Sequence, residues 1–194
     1  ELAGVRRHRL AGLGIGRTFQ NNALFRGLSV RDNVVAGVYH HGRSGFVANA
    51  LRLPAARREE EEALERLANV LEWVGLGAVA DTRVTALPFA TQKRVELARA
   101  LIGGPKLLLL DEPAGGLSHA EVTELEQLLR RLHVDFQLGI LLVEHHMNLV
   151  MRVSDSVVVL EQGAVIAEGS PGQVCRERAV IRAYLGEGTL AGAA

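Results

Sequence analysis

Leu107, Leu108, Leu109 and Leu110 run straight into Asp111 and Glu112, and then into Pro113 and the glycine-rich turn 114–118. A continuous apolar run of this length, stopped by proline and glycine, predicts a fully buried strand of a parallel sheet. The two carboxylates at its carboxyl end stand where α/β sheets place their ligands. Paired acids there suit a Mg²⁺ and an activated water beside a phosphate. A strand that merely ends in acids at a turn is the plainer reading of the same residues.

The rest of the chain supplies companions for that strand. A short basic helix is expected over 5–13 and a strand over 15–20, running into a polar loop at Asn21 and Asn22. The fragment 11–18, AGLGIGRT, superficially resembles a phosphate loop. It lacks the buried strand before and the helix after that such a loop needs, and it is rejected as one. A helix opens at 28–38 with Ser29 as its cap. His40 and His41 are read as a surface turn. Residues 54–74 form the clearest helix, with Pro54 at its start and Leu64, Leu67, Leu71 and Val74 as one apolar stripe. Residues 86–104 read as loop then helix, with Pro88 at the start. Ser118 and Glu121 make a capping box, and Val122, Leu125, Leu128, Leu129 and Leu132 line the buried face of the helix that follows. A second buried strand is expected over 138–143, a short helix over 147–153 and a third strand over 156–160, which Gly163 turns back through 164–167. A last amphipathic helix runs from Ser170, Pro171 and Gln173 to near Leu185. Alternating strands and helices predict an α/β domain with a mostly parallel sheet. A helical subdomain over 28–104 interrupts it, the core resumes over 105–186, and 187–194 is a flexible tail of the single domain 1–194.

Composition excludes several functions. Lys+Arg and Asp+Glu both number 22, so the chain lacks the basic excess of a generic nucleic-acid binder. Aromatics at 4% give few stacking platforms for single strands. One cysteine, Cys175, makes neither an intrachain disulfide nor a cysteine-rich zinc site. No apolar run approaches the roughly 20 residues of a membrane span. The first residues, ELAGVRRHRL, carry neither an initiator Met nor the apolar core of a signal peptide. The chain is therefore expected to begin inside its domain, truncated at the N-terminus.

Taken in order, RTFQN, LPFATQKRVELARAL, LLLLDEPAGGLS and EHH resemble the nucleotide-binding subunit of ABC transporters, over essentially the whole chain to about Gly186. The resemblance implies a P-loop NTPase-like (RecA-like) fold, ATP and Mg²⁺ as cofactors, and ATP hydrolysis. It gives Gln20 the place of the Q-loop glutamine, which senses Mg²⁺ and the attacking water. Leu87, Pro88, Phe89, Ala90, Thr91 and Gln92 match the signature motif that caps the γ-phosphate of ATP held by the opposite subunit. Asp111 matches the acid that holds Mg²⁺, and Glu112 the glutamate that orients or deprotonates the water. Gly116 and Ser118 belong to the D-loop, which crosses the dimer interface. His145 matches the switch histidine, with His146 at the usual aspartate. Within the family, the motifs are most similar to branched-chain amino-acid importers. The implied partners are a second ATPase subunit, two permease chains and a solute-binding protein, with no nucleic acid, and the implied place is the cytoplasmic side of the membrane. A soluble non-transport ABC ATPase and a catalytically incompetent fragment are the alternatives.

Two departures from the family pattern carry expectations. The phosphate loop and the adenine-stacking aromatic lie upstream of the Q-loop in the family, further back than the residues before Gln20. The chain alone is therefore expected to bind ATP poorly. Ala90 stands where glycine is usual, and a methyl group there, or a demand for positive φ, would cost about 1 kcal/mol or more.

Overall fold

The computed structural model describes residues 10–18, 23–38 and 54–185. Gln20, the His40–His41 pair, most of the expected basic helix and the tail 187–194 lie outside the described residues.

The leucine strand is the middle of a three-stranded parallel sheet in the order β1–β2–β3: Ile15–Arg17, Leu107–Asp111 and Gly139–Val143. Arg17 pairs with Leu109, and Asp111 with Val143, so β1 stops short of the acidic end while β3 runs alongside it. Thr18 continues the β1 line, its N–H donating to the Leu109 carbonyl at 3.0 Å. Residues 11–13 form a 3-10 turn ahead of β1. This turn-then-strand order is the reverse of the strand-then-helix order that a phosphate loop requires.

β2 is not buried on both faces as its apolar run predicts. Leu108 and Leu110 are buried, whereas Leu107 and Leu109 are only half-buried. The buried pair shares one core with Leu97 and Leu101 of helix α3 (Phe89–Leu101) and with Leu129 and Leu132 of α4 (His119–Phe136). On β3 the same sidedness is sharper, with Leu141 and Val143 both 57% exposed. Runs of Leu and Val satisfy either a one-faced or a two-faced strand, so only packing distinguishes them.

Helix α1 (Val30–Val35) is capped by the Ser29 hydroxyl, which accepts from the Asp32 N–H. Its buried Asn33 is fully engaged: the side chain donates to the Phe25 and Ser29 carbonyls and accepts from the Phe25 N–H. A Cβ built on Gly37, just past this helix, would lie 2.1 Å from the Arg99 carbonyl, so α1 and α3 approach closer than any side chain allows. Helix α2 (Pro54–Trp73) packs through Leu67, Val70 and Leu71, with Val74 following it. Leu64, expected in this stripe, is 51% exposed, one turn before the packed stretch begins.

The sheet is not one mostly parallel sheet. After α5 (Met147–Val153), strands β4 (Val157–Glu161) and β5 (Ala164–Gly169) pair antiparallel as a separate two-stranded sheet. The physical reason is the connection: Gln162 and Gly163 at φ +50° and +82° make a two-residue hairpin turn, and such a turn only joins antiparallel strands. The expected single C-terminal helix is two, α6 (Pro171–Val174) and α7 (Arg178–Leu185). Val157, Val159, Val174 and Val180 make the small core of this unit.

Candidate nucleotide site

The carboxyl ends of β2 and β3 bring several of the sequence-selected residues together. Asp111 is the last residue of β2, with its carboxylate 3.6 Å from the Arg17 guanidinium. The Asp111 N–H points at the Thr18 hydroxyl at 3.5 Å. Glu112 follows in a left-handed conformation, φ +45°. That backbone costs a non-glycine residue about 1–2 kcal/mol. It is held by two bonds: the Glu112 N–H donates to the Val143 carbonyl at 2.9 Å, and its own carbonyl accepts from the Gly115 N–H at 3.1 Å. Backbone strain of this kind clusters at functional positions. The His145 Nδ1 lies 3.9 Å from the Glu112 carboxylate, and the His145 side chain is 62% exposed.

Glu144 is the residue that sequence reasoning left aside. One carboxylate oxygen accepts from the Ala114 N–H at 2.7 Å, and the other from the N–H groups of His145 and His146 at 3.0 and 3.2 Å. It thereby joins the end of β3 to the turn after β2. Its adjacency to His145 was the only signal in the sequence, since the partner amide lies thirty residues away.

The 87–92 stretch reaches the same region. Leu87 is extended, Pro88 caps α3, and the Gln92 side chain folds back to donate to the Leu87 carbonyl at 2.9 Å. Phe89 is 46% exposed, and a Cβ built on Gly116 would lie 3.0 Å from its ring. Gly116 has φ +79°, so glycine is required there both by conformation and by the ring. Lys93 holds its ammonium 5.5 Å from the Phe89 ring centroid. Ala90 shares a cleft with Thr18, Asp111 and Leu117. Ala90 sits inside α3 and is not among the positive-φ residues, so the feared backbone strain is absent. Thr91 is half-buried in the first turn of α3. Ser118 caps α4, its hydroxyl donating to Glu121 at 2.7 Å and accepting from the Glu121 N–H. The Ser118 hydroxyl, with its backbone N–H, holds the Glu121 carboxyl below its ordinary value. Arg99 ties α3 to the loop before α1, donating to the Ala23 carbonyl at 2.6 Å. Burial pushes its guanidinium down from the ordinary value, with Glu96 opposing.

The donor set fits Mg²⁺. Asp111 and Glu112 offer hard carboxylate oxygens, each side chain 34% exposed, which suits a cation that keeps several waters. Asp111 would hold the ion, which when bound would polarise a phosphate oxygen.

A sequence profile of ABC transporters matches residues 3–115. The chain belongs to the ABC transporter family. A second profile, of the branched-chain amino acid ATP-binding cassette transporter, matches residues 164–189. The chain is 40% identical over 187 residues to the high-affinity branched-chain amino acid transport ATP-binding protein BraF of Pseudomonas aeruginosa, covering 96% of this chain and 73% of that protein. Its identity to LivG of Escherichia coli, described in the same words, is also 40%, over 186 residues and the same shares. Among solved structures, the ADP conformation of the ATP-binding cassette MJ1267 matches with a TM-score of 0.75 and 27% identity, over 93% of this chain and 71% of that one. CbiO1 of Clostridium perfringens, part of the ABC transporter complex cbiONQ, matches with a TM-score of 0.73 and 31% identity, over 92% of this chain and 66% of that one.

These matches make the chain an ABC-transporter ATP-binding subunit close to the branched-chain amino-acid import ATPases, and make the intact protein an ATP-hydrolysing enzyme with the ATP and Mg²⁺ dependence of its family. They also correct two expectations. The expectations that the chain lacks the family's N-terminal region and is truncated there do not stand: the family match already begins at residue 3 and runs to 115. No helix among the described residues is long and apolar enough to cross a membrane.

Proposed function

We propose that the site at the carboxyl ends of β2 and β3 hydrolyses ATP and couples it to import of an amino acid, branched-chain or similar. The observation that carries this reading is the Glu112–His145 pair, 3.9 Å apart beside Asp111. Phosphoryl transfer needs positioning and charge neutralisation more than covalent help. Glu112 orients the attacking water and accepts its proton, with its strained backbone aiming the carboxylate outward. His145 donates to the γ-phosphate, and its exposure lets it move toward that group. Asp111 would hold Mg²⁺, and Gln20 takes from the family resemblance the role of sensing the metal and the attacking water. Leu87, Pro88, Phe89, Ala90, Thr91 and Gln92 close over the ATP of a second ATPase subunit. Gly116, packed against Phe89, and Ser118 form the crossing between the two subunits.

The helical stretch 28–104 acts as a subdomain carrying 87–92 toward the partner, and 105–186 as the core part of one domain. Two transmembrane permease chains and a solute-binding protein complete the transporter, and the ATPase lies on the cytoplasmic face of the membrane. The similarity to BraF and LivG supports the choice of substrate and partners. The test is Glu112→Gln in the full-length protein assembled with its permeases. It should lose ATP turnover and accumulate as an ATP-bound dimer. Turnover equal to the parent's would overturn the assignment of Glu112.

A further inference from the structure

Glu144, His145 and His146 place one ligand atom each within 4.8 Å of one another. The two imidazoles stack, with centroids 5.0 Å apart and planes 28° from parallel. Glu144 is fixed by three backbone N–H donors, from Ala114, His145 and His146. A carboxylate offers about four lone-pair sites, so roughly one remains. The Glu112 carboxylate stands 3.9 Å from His145 and adds further negative charge. We propose that these residues form a binding site for a divalent transition metal of the Zn²⁺ class, ligated by Glu144, His145 and His146.

Imidazole nitrogens select such ions over Mg²⁺, which prefers oxygen alone. Zn²⁺ holds nitrogen ligands at about 2.0–2.1 Å, so two ligand atoms on one ion stand roughly 3.3 Å apart. The ligand atoms, now within 4.8 Å of one another, must draw closer, and the His145 side chain, 62% exposed, has space on its solvent side to turn. Glu144 and the half-buried His146 provide the fixed part of the site. The family resemblance puts an aspartate at 146, where this chain carries a second imidazole. Zn²⁺ here would draw the His145 ring toward Glu144 and away from a bound nucleotide, and so inhibit ATP turnover. That consequence rests on the role proposed for His145, whereas the binding rests on geometry alone.

The chain holds a second adjacent pair, His40 and His41. The experiment therefore starts from the full chain carrying His40→Ala and His41→Ala, titrated with ZnCl₂ by calorimetry. One ion per chain is expected. Adding His146→Ala should weaken the affinity about tenfold or more, and His146→Asn and Glu144→Gln should do the same, with circular dichroism showing each variant folded. Co²⁺ in the starting protein should give visible bands of a low-coordinate nitrogen–oxygen site that His146→Asn abolishes. Loss of all binding in the His40→Ala, His41→Ala protein would overturn the proposal. So would an affinity unchanged by the folded His146 variants. Inhibition by Zn²⁺ is read separately on the assembled transporter, and its absence with binding intact would count against the role of His145, not against the site.

Discussion

Replacing Glu144 by Ala removes the acceptor of three backbone N–H groups at once, those of Ala114, His145 and His146. The three do not weigh equally. Ala114 is fully buried, so its N–H loses its partner without gaining water. An orphaned buried donor costs about 1–3 kcal/mol. The His145 N–H faces an exposed surface and is re-solvated, and the His146 N–H lies between the two cases. The sum is about 3 kcal/mol. In urea, with an m-value near the upper end of the ~1–3 kcal/mol/M range for small domains, the midpoint should fall by roughly 1 M. Glu144→Gln keeps one acceptor oxygen and should lose about half as much. The assay is equilibrium urea unfolding followed by circular dichroism, with amide exchange at Ala114 as a local readout. Exchange there should accelerate in Glu144→Ala beyond what the global change explains, because the turn after β2 is released from β3. A midpoint within ~0.2 M of the parent, with Ala114 still protected, would refute the claim that Glu144 fastens the two strand ends.

Gly116→Ala should cost about 1–2 kcal/mol from its positive φ alone, plus the close approach to Phe89, measured by the same unfolding curve. Phe89→Leu in that background should recover only the contact part, and a neutral Gly116→Ala would remove the packing argument. The Ser118–Glu121 cap should be acid-labile. Glu121 has a folded pKa below its unfolded value because Ser118 donates to its ionised form. Its stabilisation is therefore complete above about pH 4.3 and lost as pH falls through the depressed folded value. The difference in Tm between the parent and Glu121→Gln should be widest near neutrality and shrink in acid, and a gap independent of pH would contradict it.

Local chemistry explains what was legible in advance. The Ser118–Glu121 box involves groups three residues apart, so sequence alone specifies it, and the same holds for Ser29 over Asp32. The strand at 107–111 and its acidic end follow from an apolar run stopped by Pro113 and glycine. The motif order also groups Asp111, Glu112 and His145, and the structure brings the last two within 3.9 Å. Gln20, outside the described residues, stays an expectation from the sequence.

Long-range pairing accounts for the rest. Which face of a leucine or valine strand is covered depends on where helices land, so Leu141 and Val143 read as buried and are exposed. Whether β4 joins the parallel sheet depends on its partner. The turn at Gln162–Gly163 gave it β5, an arrangement the β-propensity of VVVL cannot distinguish from a central strand. Glu144 meets the Ala114 amide, and Phe89 meets Gly116, only because residues far apart in the chain are folded together. By itself the sequence determined the caps, the turns, the strand with its two acids and the family they belong to, since each is written in neighbouring residues. Tertiary structure decided which faces are dry, which sheet a strand joins and which amide Glu144 holds, because those depend on contacts that exist only once distant segments meet.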